Sequence, residues 1–398
     1  LAARAALGVA LAEVPHRQRH GGEGVVAAAR RRAAAAARAR ATRRGRRRRR
    51  MSDTAVLLSR VNAELADAIE ANAKRWGALQ SDLEVIFQHI ESLVLGGGKR
   101  LRPQFAHWGW VAAGGDPMSQ QSPRIGAGIE LLHAAALFHD DVIDDAATRR
   151  GATATHRALA DSHHTQHWSG ESRRHGEGSA ILIGDFTYVL SDSLMDELSP
   201  AARIIWHDLR MEMNIGQYLD VLGSARRTRD VHEAELICRM KSAKYTVERP
   251  LHLGAVVADA QRGDALMPMF STYGLAVGDA FQMRDDILGA FGDSEVTGKP
   301  VGGDFREGKP TPLLARACAM GNSEDLVVLE KVGRPDLTDA DVAQIQQAVI
   351  NTGALAAIEQ RITSLHDEAV RALNRSQMQG ESYDALVHLA DVVTQRNL

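Results

Sequence analysis

Asp140, Asp141 and Asp144, together with Asp285 and Asp286 about 140 residues downstream, are the side chains in this sequence best equipped to do chemistry. On a helix, the i, i+1 and i+4 spacing stacks Asp140 and Asp144 with β-carbons about 5–6 Å apart and sets Asp141 beside them. Crowding of like charges at that distance is costly unless a cation shares it. Magnesium takes oxygen ligands, retains several waters and commonly bridges one or two protein carboxylates to substrate phosphates. The two clusters therefore read as two walls of a magnesium site, and the ligand expected between them is a diphosphate.

The walls need rigid elements to hold them, and the apolar pattern supplies helices. Ile129, Leu132, His133, Ala136 and Leu137 recur at helical spacing, as do Leu251, Ala255 and Ala258, while alternating strand-like segments with Asn-Gly turns are absent. The spacing predicts helices over 101–114, 122–147, 153–161, 177–197, 200–224, 230–260 and 263–291 around the acidic clusters, with more before and after them. The fold expected is all-α, a large bundle whose sites project inward from facing helices around a central cavity. His133 stands seven residues before Asp140, which returns it to within about 20° of the same helix face, two turns away.

The residues around the clusters form four motifs. Leu131-Leu132-His133-Ala-Ala-Ala-Leu-Phe-His139-Asp140-Asp141-Val-Ile-Asp144, with Arg149-Arg150-Gly151 after it, resembles the first aspartate-rich motif of the trans-prenyltransferase, or polyprenyl synthetase, family. Phe281-Gln282-Met-Arg-Asp285-Asp286-Ile-Leu-Gly289 resembles the second. Gly96-Gly-Gly-Lys99-Arg100-Leu-Arg102-Pro103 is similar to the family's basic motif, and Thr297-Gly298-Lys299-Pro-Val-Gly-Gly-Asp304 to its phosphate loop. The four occur in the family's order and spacing over roughly residues 85 to 315.

The resemblance implies an isoprenoid-synthase-type bundle that joins isopentenyl diphosphate to an allylic diphosphate (dimethylallyl, geranyl or farnesyl). The allylic diphosphate ionises, the double bond of isopentenyl diphosphate attacks the cation, and loss of a proton restores an alkene. It further implies magnesium, three ions per site with substrate bound, held by Asp140, Asp141 and Asp144 on one wall and Asp285 and Asp286 on the other. Arg149, Lys241 and Lys299 would contact the allylic diphosphate, with Ser242 beside Lys241. Lys99, Arg102, His133 and Arg150 would bind isopentenyl diphosphate, and Gln217 and Gln282 would stabilise developing charge. Ala135 and Ala136, five and four residues before Asp140, occupy positions where relatives that stop early carry an aromatic ring, so the chain-length channel is expected to be open. The implied product is geranylgeranyl diphosphate, with a longer polyprenyl product as the alternative. A terpene cyclase would not need the basic motif, and a silent subunit of a heteromeric synthase would not need five aspartates. A homodimer is also implied.

Two departures stand out. Gly289 occupies the place of a third aspartate in the second cluster, with Asp293 two turns further on, and Lys241-Ser242 replaces the usual Lys-Thr pair.

The first fifty residues are a different class of chain. They contain 15 of the 48 basic residues and only Glu13 and Glu23 of the 50 acidic ones, so the remainder carries 33 basic against 48 acidic residues and a net charge of −15 behind a near-neutral total. This Ala/Arg tract, residues 1–50, is expected to be a disordered extension and residues 51–398 a single helical domain. Translated upstream sequence with a start at Met51, a targeting peptide and a polybasic arm are its three readings, the first favoured. Cys238 and Cys318 lack the spacing of a disulfide scaffold or zinc site, which fits a reducing, cytoplasmic compartment. No apolar run approaches membrane-spanning length, so membrane contact is expected to be peripheral at most, and no nucleic-acid partner is expected. The stretch from Asp161 to Gly178, with His163, His164, His167 and His175, reads as a surface loop.

Overall fold

The computed structural model describes residues 54–292 and 302–394. Within the body from Val56 onward these residues fold as helices, as the apolar spacing predicts, with one two-stranded antiparallel hairpin, Thr148–Arg149 against Ala152–Thr153. The helices are α1 (54–77), α2 (Glu84–Leu95), α3 (Leu101–Ala112), α4 (Gln121–Ile143), α5 (Thr155–Thr165), α6 (Ser172–Ser193), α7 (Pro200–Arg226), α8 (Val231–Cys238), a π-wound segment (Arg239–Glu248), α9 (Arg249–Ala258) and α10 (Ala260–Phe291). Shorter helices follow, among them Gly303–Glu307, Pro312–Met320 and Ala354–Ala372, and the last is Ser382–Thr394.

Helix α4 is held from two sides. Leu132 and Ile129 join the main apolar core with Phe105, Trp108, Trp110 and Trp206, while Leu131, Ala134 and Phe138 join a second cluster built on Leu57, Val61, Leu65, Phe87 and Ile90. Each fully buried Leu or Phe contributes about 1.5–3 kcal/mol, so the rotation of α4 about its axis is strongly specified. The face left over carries Glu130, His133, Leu137 and Asp140, at helical spacing, into a central cavity.

Local signals explain the other boundaries. Ser199 caps α7 by accepting from the Ala202 amide, with Pro200 at the first helical position, where its missing N–H costs nothing. Asp259, extended at φ −158°, ends α9 and caps α10 through the Arg262 amide, so the single helix expected over 230–260 is three elements. The loop before α3 turns through Gly97 and Gly98 at φ 117° and 136°, a region that favours glycine.

The stretch from Asp161 to Gly178 is not the loop its composition suggests. Only 166–171 separates α5 from α6, because Glu171 caps α6 by accepting from the Arg173 and Arg174 amides. His163 is buried, with its ring 5.9 Å from Trp168 and 4.9 Å from His175, and its Nε2 lies 3.2 Å from the Ser169 carbonyl. His163 and His175 pack a helix corner with Trp168, while His164 and His167 are exposed. Among the described residues, no group of three His, Cys, Asp or Glu side chains converges on a metal position, and no helix is long and apolar enough to cross a membrane.

Candidate active site

The first acidic wall is the C-terminal end of α4. The helix stops at Ile143, not 147, so Asp144 is its C-cap and donates its amide to the Asp140 carbonyl at 2.8 Å. Three carboxylates at a helix C-terminus oppose the partial negative charge of the macrodipole, and cations must hold them there. Arg149, on the hairpin, donates from Nε to Asp141 Oδ1 at 2.6 Å and reaches Asp140 Oδ2 at 3.3 Å. Lys241 lies 3.4 Å from Asp140 Oδ1 and 2.6 Å from Asp220 Oδ2, and Gln217 donates to Asp140 Oδ1 at 3.1 Å. Lys309 bonds Asp144 Oδ2 at 2.7 Å.

These contacts separate the three acids. Burial alone would push the Asp140 carboxyl up, but Lys241, Lys309 and Arg149 outweigh it and hold the group below the usual carboxylate range. Burial wins at Asp141 and at Asp144, which lie above that range despite Arg149 and Lys309.

The second wall is the last third of α10. Asp286 is buried; Gln282 donates to its Oδ1 at 2.8 Å, while its Oδ2 meets no hydrogen-bond partner. Burial, with Asp304 and Asp285 nearby, drives its carboxyl well above the ordinary value. Asp285 lines the same cavity. The glycine at 289 has a physical reason: a β-carbon there would lie 2.2 Å from Asp304 Oδ2. Asp304 thus brings a carboxylate against the place where a third aspartate was missed.

The lining of the cavity is also basic. Lys99, Arg100, Arg102, Arg149 and Arg150 line it, with His133 and Tyr245. Arg102 is nearly buried, donates to the Tyr245 hydroxyl at 2.5 Å and Thr246 Oγ1 at 3.0 Å, and lies 4.4 Å from the Tyr245 ring centre. Arg150 donates to the carbonyls of Leu93 at 2.7 Å and Gly97 at 2.5 Å, which aims the glycine loop. Arg100 spends its charge elsewhere, on buried Glu130 at 2.7 Å. Burial, then Arg102, Arg150, Arg149 and Arg100, hold His133 well below its usual range, so it is neutral near pH 7, with Nδ1 3.3 Å from the Tyr245 hydroxyl.

The cavity of about 730 Å³ therefore brings together Lys99, Arg102, His133, Asp140, Arg149, Arg150, Lys241, Ser242, Gln282, Asp285 and Asp286. Asp141, Asp144 and Gln217 join it through the contacts above. Lys299 and Asp293 lie outside the described residues. Ala135 is fully buried and Ala136 packs on the main core; the cavity wall on this turn is Leu137.

A model of the polyprenyl synthetase family matches residues 83–349. The chain belongs to the polyprenyl synthetase family. A geranylfarnesyl diphosphate synthase of Aeropyrum pernix is 31% identical over 76% of this chain and 92% of its own length. The octaprenyl diphosphate synthase of Escherichia coli is 29% identical over 85% and 99%. A geranylgeranyl pyrophosphate synthase from Corynebacterium glutamicum, solved with isoprenyl diphosphate and magnesium, superposes with a TM-score of 0.78 at 35% identity, covering 85% of this chain and 98% of that one. This polyprenyl synthetase is a prenyltransferase with an all-helical fold.

The donor set fits a hard divalent cation. It is carboxylate oxygen from two helices that line one cavity, with the Asp286 Oδ2 atom buried and unpartnered. Because no three acidic side chains converge on one ion position among the described residues, each ion would take one or two carboxylates here and complete its shell with phosphate and water.

Lys309, Asp220 and Tyr245 line the cavity but were given no role by the sequence reasoning, which read Asp304 only as the end of the phosphate-loop motif. Asp220 was within reach, since it stands three residues from Gln217 on the same face of α7. Lys309 follows the phosphate-loop motif by five residues, too far for a motif to claim it. Removing it strips Asp144 of its cation, which for a buried pair costs about 3–5 kcal/mol. Lys309→Met is therefore expected to lower the urea midpoint measured without divalent cation; an unchanged midpoint would show that the pair does not hold this wall together.

Proposed function

We propose that this enzyme catalyses magnesium-dependent head-to-tail condensation of isopentenyl diphosphate with allylic diphosphates to an all-trans prenyl diphosphate, geranylgeranyl diphosphate foremost. The observation that supports this reading is one cavity lined by carboxylates from two helices, α4 and α10, and by the basic side chains Lys99, Arg102, Arg149 and Arg150. A terpene cyclase has one diphosphate to bind; Arg102, Lys99 and Arg150 supply a second site. The Corynebacterium neighbour favours the geranylgeranyl product over the longer products named for other relatives.

Magnesium bound by Asp140, Asp141, Asp144, Asp285 and Asp286 would neutralise the allylic diphosphate and make it a leaving group. The chain's own groups do the rest. Arg149, Lys241 and Lys309, which sit on the first wall, supply cations within reach of the departing diphosphate. Arg102, Lys99 and Arg150 hold isopentenyl diphosphate, and neutral His133 offers it a hydrogen bond without adding charge. Gln217 and Gln282 orient Asp140 and Asp286 through their amides. The carbocation takes the electron pair of the isopentenyl double bond, and the proton then lost passes to the diphosphate.

The same reading includes a homodimer. Helices α6 and α7 expose Leu182, Phe186, Val189, Ile204, Met211 and Tyr218, all large apolar side chains on two neighbouring elements. A patch of that kind is unusual on a monomer, and a second copy of the chain would cover it.

Asp140→Ala and Asp285→Ala are each expected to cut turnover by about 10²–10⁴ at saturating magnesium; near-normal turnover in either would sink the two-wall reading. Arg102→Ala should raise the KM for isopentenyl diphosphate at least tenfold and leave that for the allylic substrate within about twofold, because a charge-assisted phosphate contact acts locally. Equal rises would merge the two pockets. A phenylalanine at Ala136 would fill space beside the cavity-lining turn of α4, and overpacking costs roughly 1–3 kcal/mol; product sizing should shift toward farnesyl diphosphate, and an unaltered distribution in an active variant would place the tail elsewhere. Sedimentation of Met211→Glu should show a monomer where the parent is a dimer.

A further inference from the structure

The segment Arg239–Glu248 is π-wound over ten residues and carries Lys241, Ser242, Tyr245 and Thr246. Winding at about 100° per residue would turn Thr246 roughly 140° away from Lys241, whereas the wider π turn, near 80° per residue, brings them within about 50°. Only the π register lets one face hold Lys241 toward Asp140 and Thr246 toward Arg102. Such winding has poorer hydrogen-bond geometry than an α-helix and needs outside support.

The support comes from α7 and α10. β-carbons at Gly216, Gly274 and Gly278 would lie 2.2 Å from Lys241 N, 2.7 Å from Glu248 Cα and 2.5 Å from Ala243 Cα, so both helices press directly on the segment's backbone. Its outer face carries the ionic contact. Glu212 of α7 accepts two bonds from Arg249, at 2.7 Å from Nε and 2.6 Å from Nη2, and also pairs with Lys244. Lys244 lies inside the π segment and Arg249 just beyond its end. Glu212 is mostly buried, as are both of its cations.

We propose that Glu212 is a positioning residue: its carboxylate, gripping Lys244 and Arg249, holds the π register and through Tyr245 and Thr246 aims Arg102 into the isopentenyl diphosphate pocket. This rests on the reading of Arg102 given above. Both side-chain hydroxyls that hold Arg102 come from the π segment, whereas Lys241 has its own anchors in Asp220 and Asp140 on other helices. Loosening the clamp should therefore disturb the two substrates unequally.

Glu212→Gln keeps the shape and removes the charge. The expected result is a KM for isopentenyl diphosphate raised about 5- to 10-fold, with the allylic KM within about twofold. Combined with Thr246→Val it should add little further, since both act through Arg102. Lys244→Gln, which leaves the Arg249 fork in place, should give the same split at smaller size and serves if Glu212→Gln does not fold. Either variant raising both KM values together, or neither, overturns the proposal, as do effects of Glu212→Gln and Thr246→Val that simply multiply. If Arg102→Ala itself shows no split, the pocket reading has failed; if it shows one and Glu212→Gln does not, the clamp alone has failed.

Discussion

Five aspartates around one cavity repel one another, and three of them stand at the negative end of a helix. Taking a carboxylate out of water costs several kcal/mol even after relaxation, recovered only where a cation is placed with good geometry. Arg149, Lys241 and Lys309 meet that condition for Asp140, Asp141 and Asp144, Arg149 bridging the first two and Lys309 holding the third. The rest of the architecture follows from keeping those charges from swinging outward. Helix α4 is packed into two separate apolar clusters, so its acidic end cannot rotate into solvent without exposing Phe138 or Leu132.

The second wall holds a buried carboxylate oxygen, Asp286 Oδ2, that meets no hydrogen-bond partner. Burial, with Asp304 and Asp285 nearby, raises the proton affinity of Asp286. That asymmetry is chemically useful. A carboxylate already paired by side chains holds its place in the free enzyme, while the buried, unpartnered Oδ2 of Asp286 gains most when a cation arrives. On the opposite side, His133 solves the reverse problem. Four guanidiniums nearby and its burial keep it neutral, so it offers a hydrogen bond without adding another positive charge.

Much of this was legible in the sequence, and the failures are physical. The aspartates and the basic motif could be read because their chemistry needs those residue types at short, regular spacing. The boundaries of α4 and α10 came from apolar periodicity, which tolerates errors of a few residues, and α4 ended one turn early because Asp144 caps it. The π winding was illegible, since Arg239–Glu248 has ordinary helical composition and its register is set by Gly216, Gly274 and Gly278 on other elements. The histidines near residue 165 misled because polar composition was taken for exposure, whereas His163 is buried against Trp168 and His175.

Gly289 shows why position in space outranks position in a motif. Read along the chain it is a lost acid; in the fold it makes room for Asp304, whose carboxylate a β-carbon at 289 would strike. Asp304 sits on the short helix Gly303–Glu307, flanked by Gly302 and Gly308 at φ 69° and 71°, and its carbonyl accepts from the Lys309 amide at 3.1 Å. One tight turn thus delivers an acid to the second wall and, through Lys309, a cation to Asp144 on the first. The two walls are separate helices far apart in sequence, and this turn meets both, through Asp304 packed at Gly289 and through the Lys309–Asp144 ion pair. Its glycines matter because a left-handed residue at each end is what turns Asp304 and Lys309 toward opposite walls within six residues.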